Sequence, residues 1–67
     1  MTPAQFRLAI AALGLSQERA GLFLGRSARQ GQRYADLKKP DPIPEGFAKL
    51  LRMMLKYGHT IDDVNNA

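Results

Sequence analysis

Helix start and stop signals divide this chain into short segments, and this division limits its fold more than any other feature of the sequence. Thr2-Pro3-Ala4-Gln5 matches a capping box with Pro at the first helical position, and Ser16 and Ser27 are further N-cap candidates. Gly14 and Gly25 supply the left-handed residue at which helices commonly end. The pattern predicts a first helix after Thr2, a second from Gln17 to Leu24 and a third from Ser27 to about Leu37 or Lys38.

Three prolines within residues 40–44 interrupt any helix there and stiffen the connection. A fourth helix is predicted from near Pro44 to Tyr57, with Gly58 as its stop, and Thr60-Ile61-Asp62-Asp63 is expected to cap one last short turn. The sequence shows no alternation typical of a strand, no internal repeat and no long linker. It therefore predicts an all-α protein in which residues 1–67 form one compact domain of four or five helices.

Small size and the absence of cysteine set a stability problem for such a domain. The chain has 67 residues, no Cys and one His, which excludes disulfides and thiolate zinc sites. Below about 70–80 residues a lone core supplies only about 3–5 kcal/mol. Two supports remain, namely very economical helix packing or a partner subunit, and no cofactor or metal is expected.

The fourth predicted helix is apolar over a wider arc than a surface helix needs. At about 100° per residue its apolar side chains cover about 200°, whereas a stripe of about 100° is enough to pack on one core. The excess lies at Met53 and Tyr57 on one edge or at Leu55 on the other. We prefer a two-fold interface with a second copy of the chain as the cover for this excess. The alternatives are that other helices of the same chain pack on both sides of the fourth helix, or that the helix lies on a membrane surface. The residues predicted to form this homodimer interface, within residues 44–67, are Leu50, Met53, Met54, Tyr57 and Ile61.

The second and third predicted helices have the spacing of a helix-turn-helix. They are joined by Gly25-Arg26-Ser27, a three-residue connection that opens with Gly. In that motif the second helix enters the major groove of DNA. Arg29, Gln32 and Arg33 share the outward face of the third helix, and their guanidinium and amide groups can bond guanine O6/N7 and adenine N6/N7 in pairs. The residues predicted to face the core instead are Gly31, Tyr34 and Ala35.

Charge is concentrated on and beside this third helix. Residues 26–39 hold five Lys and Arg side chains against Asp36 alone, so they carry the whole formal net charge of +4. A basic helix face is often only a solvated surface, but here charge and motif coincide, which favours nucleic-acid binding. Ala28 is open to two interpretations: its methyl contacts a thymine methyl, or it is only a good helix former at the first helical position.

Two glycines inside the predicted helices have no local reason to be there. Gly21 in the second helix and Gly31 in the third each cost about 0.5–1 kcal/mol of helix stability relative to Ala. One interpretation is that they let the two helices nearly touch. The other is a weakly formed third helix that becomes ordered on DNA, and the sequence does not choose between them.

The same segment resembles a known family of regulators. Leu15-Ser16-Gln17, Ala20, Leu24-Gly25, Ser27 and Arg33-Tyr34-Ala35 look like the Cro/CI-type (xenobiotic-response-element-like) helix-turn-helix of phage and prophage regulators. The resemblance covers about residues 2–58 and implies a lambda-repressor-like bundle, a homodimer and an inverted-repeat operator in a promoter. The chain departs from the family at Gly31, where Val or Ile is usual, and at Gly21, where Ala is commonest.

The resemblance also implies roles for individual residues. Gln17, at the start of the second helix, is expected to bond a backbone phosphate. The positions expected to face base edges are Ala28, Arg29, Gln32 and Arg33. The full set of expected phosphate contacts is Gln17, Arg26, Ser27, Lys38 and Lys39. In its compact size the chain is also similar to anti-CRISPR-associated repressors, which silence phage anti-CRISPR operons.

These observations predict a homodimeric, sequence-specific DNA-binding repressor in the cytoplasm, on the nucleoid of a bacterium or a phage-infected cell. The alternative is a protein-interaction module, such as an antitoxin or an inhibitor, while RNA binding is disfavoured because no aromatic lies on the predicted exposed face. The longest apolar run, Leu8–Leu15, is too short for a bilayer, which takes about 20 residues. We expect no enzyme activity and no small-molecule ligand, since His59, Asp62 and Asp63 are placed to cap helix ends.

Overall fold

Five helices make up the part of the chain that the computed structural model describes, residues 1–66, and no strand occurs in that range. They are α1 (Pro3–Ala12), α2 (Gln17–Phe23), α3 (Ala28–Tyr34), α4 (Glu45–Tyr57) and α5 (Ile61–Asn65). The predicted all-α class is confirmed, and the number of helices agrees with the prediction. Over the same residues, each helix is too short or too polar to cross a membrane.

Most helix ends lie where short-range signals predict them. Thr2 forms a complete capping box with Gln5: its Oγ1 accepts from the Gln5 backbone N–H at 3.1 Å, and the Gln5 side-chain oxygen accepts from the Thr2 N–H at 2.9 Å. Thr60 forms the same reciprocal pair with Asp63 and so starts α5. Gly58 ends α4 with a φ of 69°, a left-handed conformation that glycine adopts without a steric penalty.

α3 is shorter than the sequence predicts: it ends at Tyr34 and not near residue 37 or 38. The Asp36 carboxylate accepts hydrogen bonds from the backbone N–H groups of Lys38 and Lys39, at 2.8 and 3.2 Å. An Asp side chain that bonds the backbone two and three residues ahead replaces helical hydrogen bonds with a turn. The same two bonds lower the pKa of Asp36 below its usual range.

The core lies where α1, α3 and α4 meet. Tyr34 is buried between two phenylalanine rings, with its ring centroid 5.9 Å from that of Phe6 and 6.4 Å from that of Phe47, both in edge-on geometry. Arg7 of α1 adds a polar link, since its Nε donates to the Ala35 carbonyl at 2.6 Å, at the C-terminal end of α3 where a cation is favoured. The other buried apolar residues are Ala9, Ile10, Ala20, Leu24, Ala35, Ala48, Leu51 and Met54. These contacts hold the end of α3 against α1 and α4.

α2 and α3 approach each other through their two glycines. A Cβ added to Gly31 would overlap the carbonyl oxygen of Gln17 and would lie 2.8 Å from the nitrogen of Gly21. A Cβ added to Gly21 would overlap the carbonyl oxygen of Ser27. Both positions therefore require a residue without a side chain. Of the two interpretations that the sequence leaves open, close helix approach is the one that the structure shows.

The excess apolar surface of α4 is not covered by residues 1–66. Met53 and Tyr57 on one edge are 56% and 60% exposed, and Leu55 on the other edge is 41% exposed. The alternative in which helices of this chain pack on both sides of α4 is therefore wrong. Met54 is only 1% exposed, so its predicted place in a dimer interface is wrong as well, because the side chain faces the core of its own chain. Leu50 and Ile61, the remaining residues predicted for that interface, are half-buried.

Candidate nucleic-acid interface

The side chains predicted to read bases lie together on the exposed face of α3. Arg29, Gln32 and Arg33 are exposed, whereas Gly31 and Tyr34 of the same helix are buried. Residues three and four apart share one helical face, so this distribution is the one that the spacing predicts. α3 therefore presents two guanidiniums and one amide to the surroundings and turns its small and aromatic residues inward.

The start of α3 is organised by Ser27. Its Oγ accepts a hydrogen bond from the Gln30 backbone N–H at 3.1 Å and so caps the helix. A hydroxyl that accepts one bond can still donate its own proton, so capping is compatible with the predicted phosphate contact. Ala28 follows as the first helical residue and is half-buried, which agrees with both interpretations of that position.

Gln32 is held by a carboxylate of the neighbouring helix. Its Nε2 donates to Oε1 of Glu18 in α2 at 2.7 Å. This hydrogen bond is the main reason why the pKa of Glu18 lies below its usual value, with the side chain exposed to solvent. One of the predicted base readers thus has a fixed partner within the protein.

Asp41 ties the proline-rich segment to α3. Its Oδ2 accepts from Nε2 of Gln30 at 2.9 Å and lies 3.9 Å from Nη1 of Arg33. Its backbone N–H donates to the Arg33 carbonyl at 3.2 Å. The ion pair is half-exposed and loose, so it contributes little to stability, but it places a carboxylate directly beside a second predicted base reader.

The predicted phosphate contacts flank α3. Arg26 is exposed just before the helix, with its guanidinium carbon 5.5 Å from the centroid of the Phe47 ring, a cation–π contact. Lys38 and Lys39 are exposed in the turn that follows α3. Gln17, the half-buried first residue of α2, lies beside α3 because its carbonyl oxygen closely approaches the backbone of that helix. Basic residues therefore lie before and after α3 in the chain.

Two carboxylates make this surface less positive than the sequence predicts. Glu18 and Asp41 lie outside residues 26–39 but contact side chains of that segment. With Asp36, this surface has three acidic and five basic side chains, so its net charge is still positive. Each of the two acids bonds a particular side chain of α3, so they act on individual groups as well as on the overall charge.

Sequence reasoning missed Glu18 and Asp41 because both contacts are long-range. Glu18 is 14 residues from Gln32, and Asp41 is 11 residues from Gln30. Short-range rules for helices relate residues only three or four positions apart. Only the packing of α2 and of the proline-rich segment against α3 brings these groups together.

The chemistry available on this surface is hydrogen bonding and charge. Its groups are the guanidiniums of Arg26, Arg29 and Arg33, the amide of Gln32 and the ammonium groups of Lys38 and Lys39. Within residues 1–66, no group of three His, Asp or Glu side chains is placed to hold a metal ion. Guanidinium, amide and ammonium groups are the ones that proteins use to bind phosphates and base edges.

Comparisons with known protein families, with curated proteins and with solved structures find no match for this chain. The class that the structure shows is an all-α protein of five helices over residues 1–66. The likeness to Cro/CI-type regulators stays an interpretation of the residues that carry it.

Proposed function

We propose that this chain is a sequence-specific regulator of transcription that binds double-stranded DNA, with α2 and α3 as a helix-turn-helix and α3 as the recognition helix. One observation carries the proposal. The exposed face of α3 holds Arg29, Gln32 and Arg33 together, while the opposite face of the helix is buried. The bases on either side of α3 and the capped, tightly packed start of the helix support it.

The size and support of α3 suit the major groove. An α-helix with its side chains is about 10–12 Å across, so the major groove, about 12 Å wide, admits one such helix. The backbone of Gly31 lies against α2, and Tyr34 lies between two aromatic rings. A helix supported in this way presents its polar face in one orientation, which lowers the entropy lost on binding.

The side chains divide into two kinds of contact. Arg29 and Arg33 can each bond O6 and N7 of a guanine, and Gln32 can bond N6 and N7 of an adenine. Arg26, Lys38 and Lys39 flank α3 and would supply the phosphate contacts. Neutralising phosphates releases counterions from DNA. Base contacts supply sequence preference and phosphate contacts supply most of the affinity.

The exposed edge of α4 supports a homodimer as the DNA-binding form. Met53 and Tyr57 are large, apolar and uncovered, and a second copy would bury both while adding to a small core. A two-fold dimer reads an inverted repeat whose half-sites lie about 10 bp apart. The resemblance to phage regulators suggests repression as the regulatory role, including autoregulation of an anti-CRISPR operon, in the cytoplasm on the nucleoid.

Selection of binding sites from randomised double-stranded DNA tests the proposal. We expect the full chain to enrich one motif with two inverted half-sites. Arg29→Ala or Arg33→Ala should weaken binding to that motif by about 1–3 kcal/mol and weaken scrambled DNA much less. Arg52→Ala is the matched control, because Arg52 is an exposed arginine of α4 that pairs with Glu45 at 3.4 Å.

Two results would contradict DNA reading by α3. One is enrichment of no motif, with equal binding to every duplex. The other is a motif whose binding is unaffected by Arg29→Ala and Arg33→Ala, which would place the reading surface elsewhere.

A protein-binding module is the second candidate function, and the exposed Met53 and Tyr57 favour it. In that case a different protein, rather than a second copy, covers the apolar edge of α4. Substitutions on this edge would then abolish binding of that protein, and the basic face of α3 would be dispensable for this binding. The binding-site selection separates the two candidates, because this module enriches no DNA motif.

A further inference from the structure

We propose that Glu18 is a specificity-determining residue that holds the Gln32 amide in the orientation needed to read an adenine in the major groove. The inference rests on the proposed DNA-binding function and deepens it by assigning one base preference to one pair of side chains. Glu18 would act through Gln32 as a positioning residue.

The hydrogen bond fixes which end of the amide faces α2. An ionised carboxylate has acceptors and no donor, so only the NH₂ end of Gln32 can face Glu18. The observed bond runs from Nε2 of Gln32 to Oε1 of Glu18 at 2.7 Å, which is short and charge-assisted. The pKa of Glu18 is lowered, so the carboxylate is ionised at neutral pH and the amide cannot reverse without losing this bond.

The groups of Gln32 that remain match adenine. One N–H is used by Glu18, which leaves the second N–H and the carbonyl oxygen Oε1. In the major groove adenine presents the N7 acceptor beside the N6 donor, and one donor and one acceptor on a single amide satisfy both. Guanine presents two acceptors, N7 and O6, and would oppose one of them with Oε1. The held amide therefore favours adenine over guanine.

Glu18 also has an electrostatic effect on DNA binding, which the positioning role must be separated from. An exposed carboxylate beside a helix that enters DNA is repelled by phosphates of every sequence. Removing it should therefore strengthen non-specific binding. A residue that only repels phosphates changes all duplexes alike, whereas a residue that positions Gln32 changes the preference at one base pair.

The test compares Glu18→Ala, Glu18→Gln and Gln32→Ala on the selected site and on all its single base-pair changes. We expect Gln32→Ala to lose discrimination at one A·T pair. Glu18→Ala should lower the discrimination at that same base pair by about two- to tenfold, because Gln32 must then be ordered on binding. Glu18→Gln should retain more discrimination than Glu18→Ala, since it removes the charge but keeps an acceptor. Glu45→Ala controls for loss of an exposed negative charge.

A double-mutant cycle completes the test, because Glu18→Ala should have no further effect on discrimination in the Gln32→Ala background. If Glu18→Ala strengthens binding to all duplexes by one factor and leaves every preference unchanged, Glu18 is only an electrostatic residue and the inference is wrong. It is also wrong if Glu18→Ala relaxes discrimination equally with and without Gln32. A wild-type chain without any sequence preference would overturn the proposed function itself, and the inference with it.

Discussion

The backbones of Gly21 in α2 and Gly31 in α3 are in direct contact, so that a methyl group on Gly21 would lie 2.7 Å from the nitrogen and 2.9 Å from the Cα of Gly31. Each glycine weakens its own helix by about 0.5–1 kcal/mol relative to Ala. The contact explains why both are nevertheless present, because no other residue allows the two helices to lie this close. It also sets the position of α3, and with it the direction in which the exposed face points.

Gly31→Ala and Gly21→Ala should each lower the free energy of unfolding by about 1–3 kcal/mol or more, because the new methyl meets backbone atoms that cannot rotate away. Urea unfolding followed by circular dichroism, at one fixed protein concentration, measures the change. Gly46→Ala is the matched control: it lies in α4 with open space around the added methyl and should raise stability by about 0.5 kcal/mol. Equal stability of Gly31→Ala and wild type would contradict the close approach.

Local signals predict much of this fold because capping and helix ends depend on neighbouring residues. Thr2, Thr60 and Gly58 act as the sequence predicts, and the inward turn of Tyr34 follows from helical spacing. The early end of α3 was missed because the Asp36 side chain competes with the helix for the backbone N–H groups that follow it.

The parts that sequence reasoning missed depend on packing in three dimensions. Glu18 and Asp41 contact α3 from distant points of the chain, so short-range rules could not reveal them. Met54 lies on the same apolar arc as Met53, and the packing of α1 against α4 decides that Met54 is buried while Met53 stays exposed. Arg29, Gln32 and Arg33 are exposed as the helical spacing predicts, whereas Ala28 is half-buried.

Stability should depend on pH through carboxylates whose pKa values are lowered by hydrogen bonds. The pKa of Asp36 is lowered chiefly by the backbone N–H of Lys38 and then by that of Lys39. The folded state therefore binds fewer protons than the unfolded state, so this stabilisation is complete above about pH 5 and is lost as pH falls through the lowered pKa. We expect Asp36→Asn to be less stable than wild type at neutral pH and the difference to shrink towards about pH 3. Urea unfolding across this range checks it, and a difference independent of pH would contradict the assignment.

The two apolar edges of α4 can be told apart by their effect on oligomeric state. Met53→Glu should convert the proposed dimer to a monomer with an unchanged helical spectrum, because Met53 is exposed in the single chain. Leu8→Glu is the control for the opposite edge, since Leu8 is 74% exposed and lines a groove between α1 and α4 that also contains Leu55. Sedimentation of both variants decides between the edges. Dissociation by Leu8→Glu alone would move the interface to α1, and a monomeric wild type would rule out the dimer.

Lys38 should contribute affinity without sequence preference. Lys38→Ala is expected to weaken binding to selected and scrambled DNA by the same factor, because a lysine that meets a phosphate reads no base. The slope of log K against log salt concentration should become shallower by about one for each Lys38 removed. Titrations at several salt concentrations measure it, with Lys49→Ala on α4 as the control of equal charge. A loss confined to the selected site would show that Lys38 contacts a base.

The ratio of two affinities tests most directly whether α3 reads DNA sequence. The 67-residue chain is titrated against the duplex it selects and against a scrambled duplex of the same composition, both at about 0.15 M salt. We predict that the chain binds the selected duplex at least about 1,000-fold more tightly than the scrambled duplex. A ratio near one, with binding to both duplexes that falls steeply with salt, would show a basic surface without sequence recognition and would contradict the account.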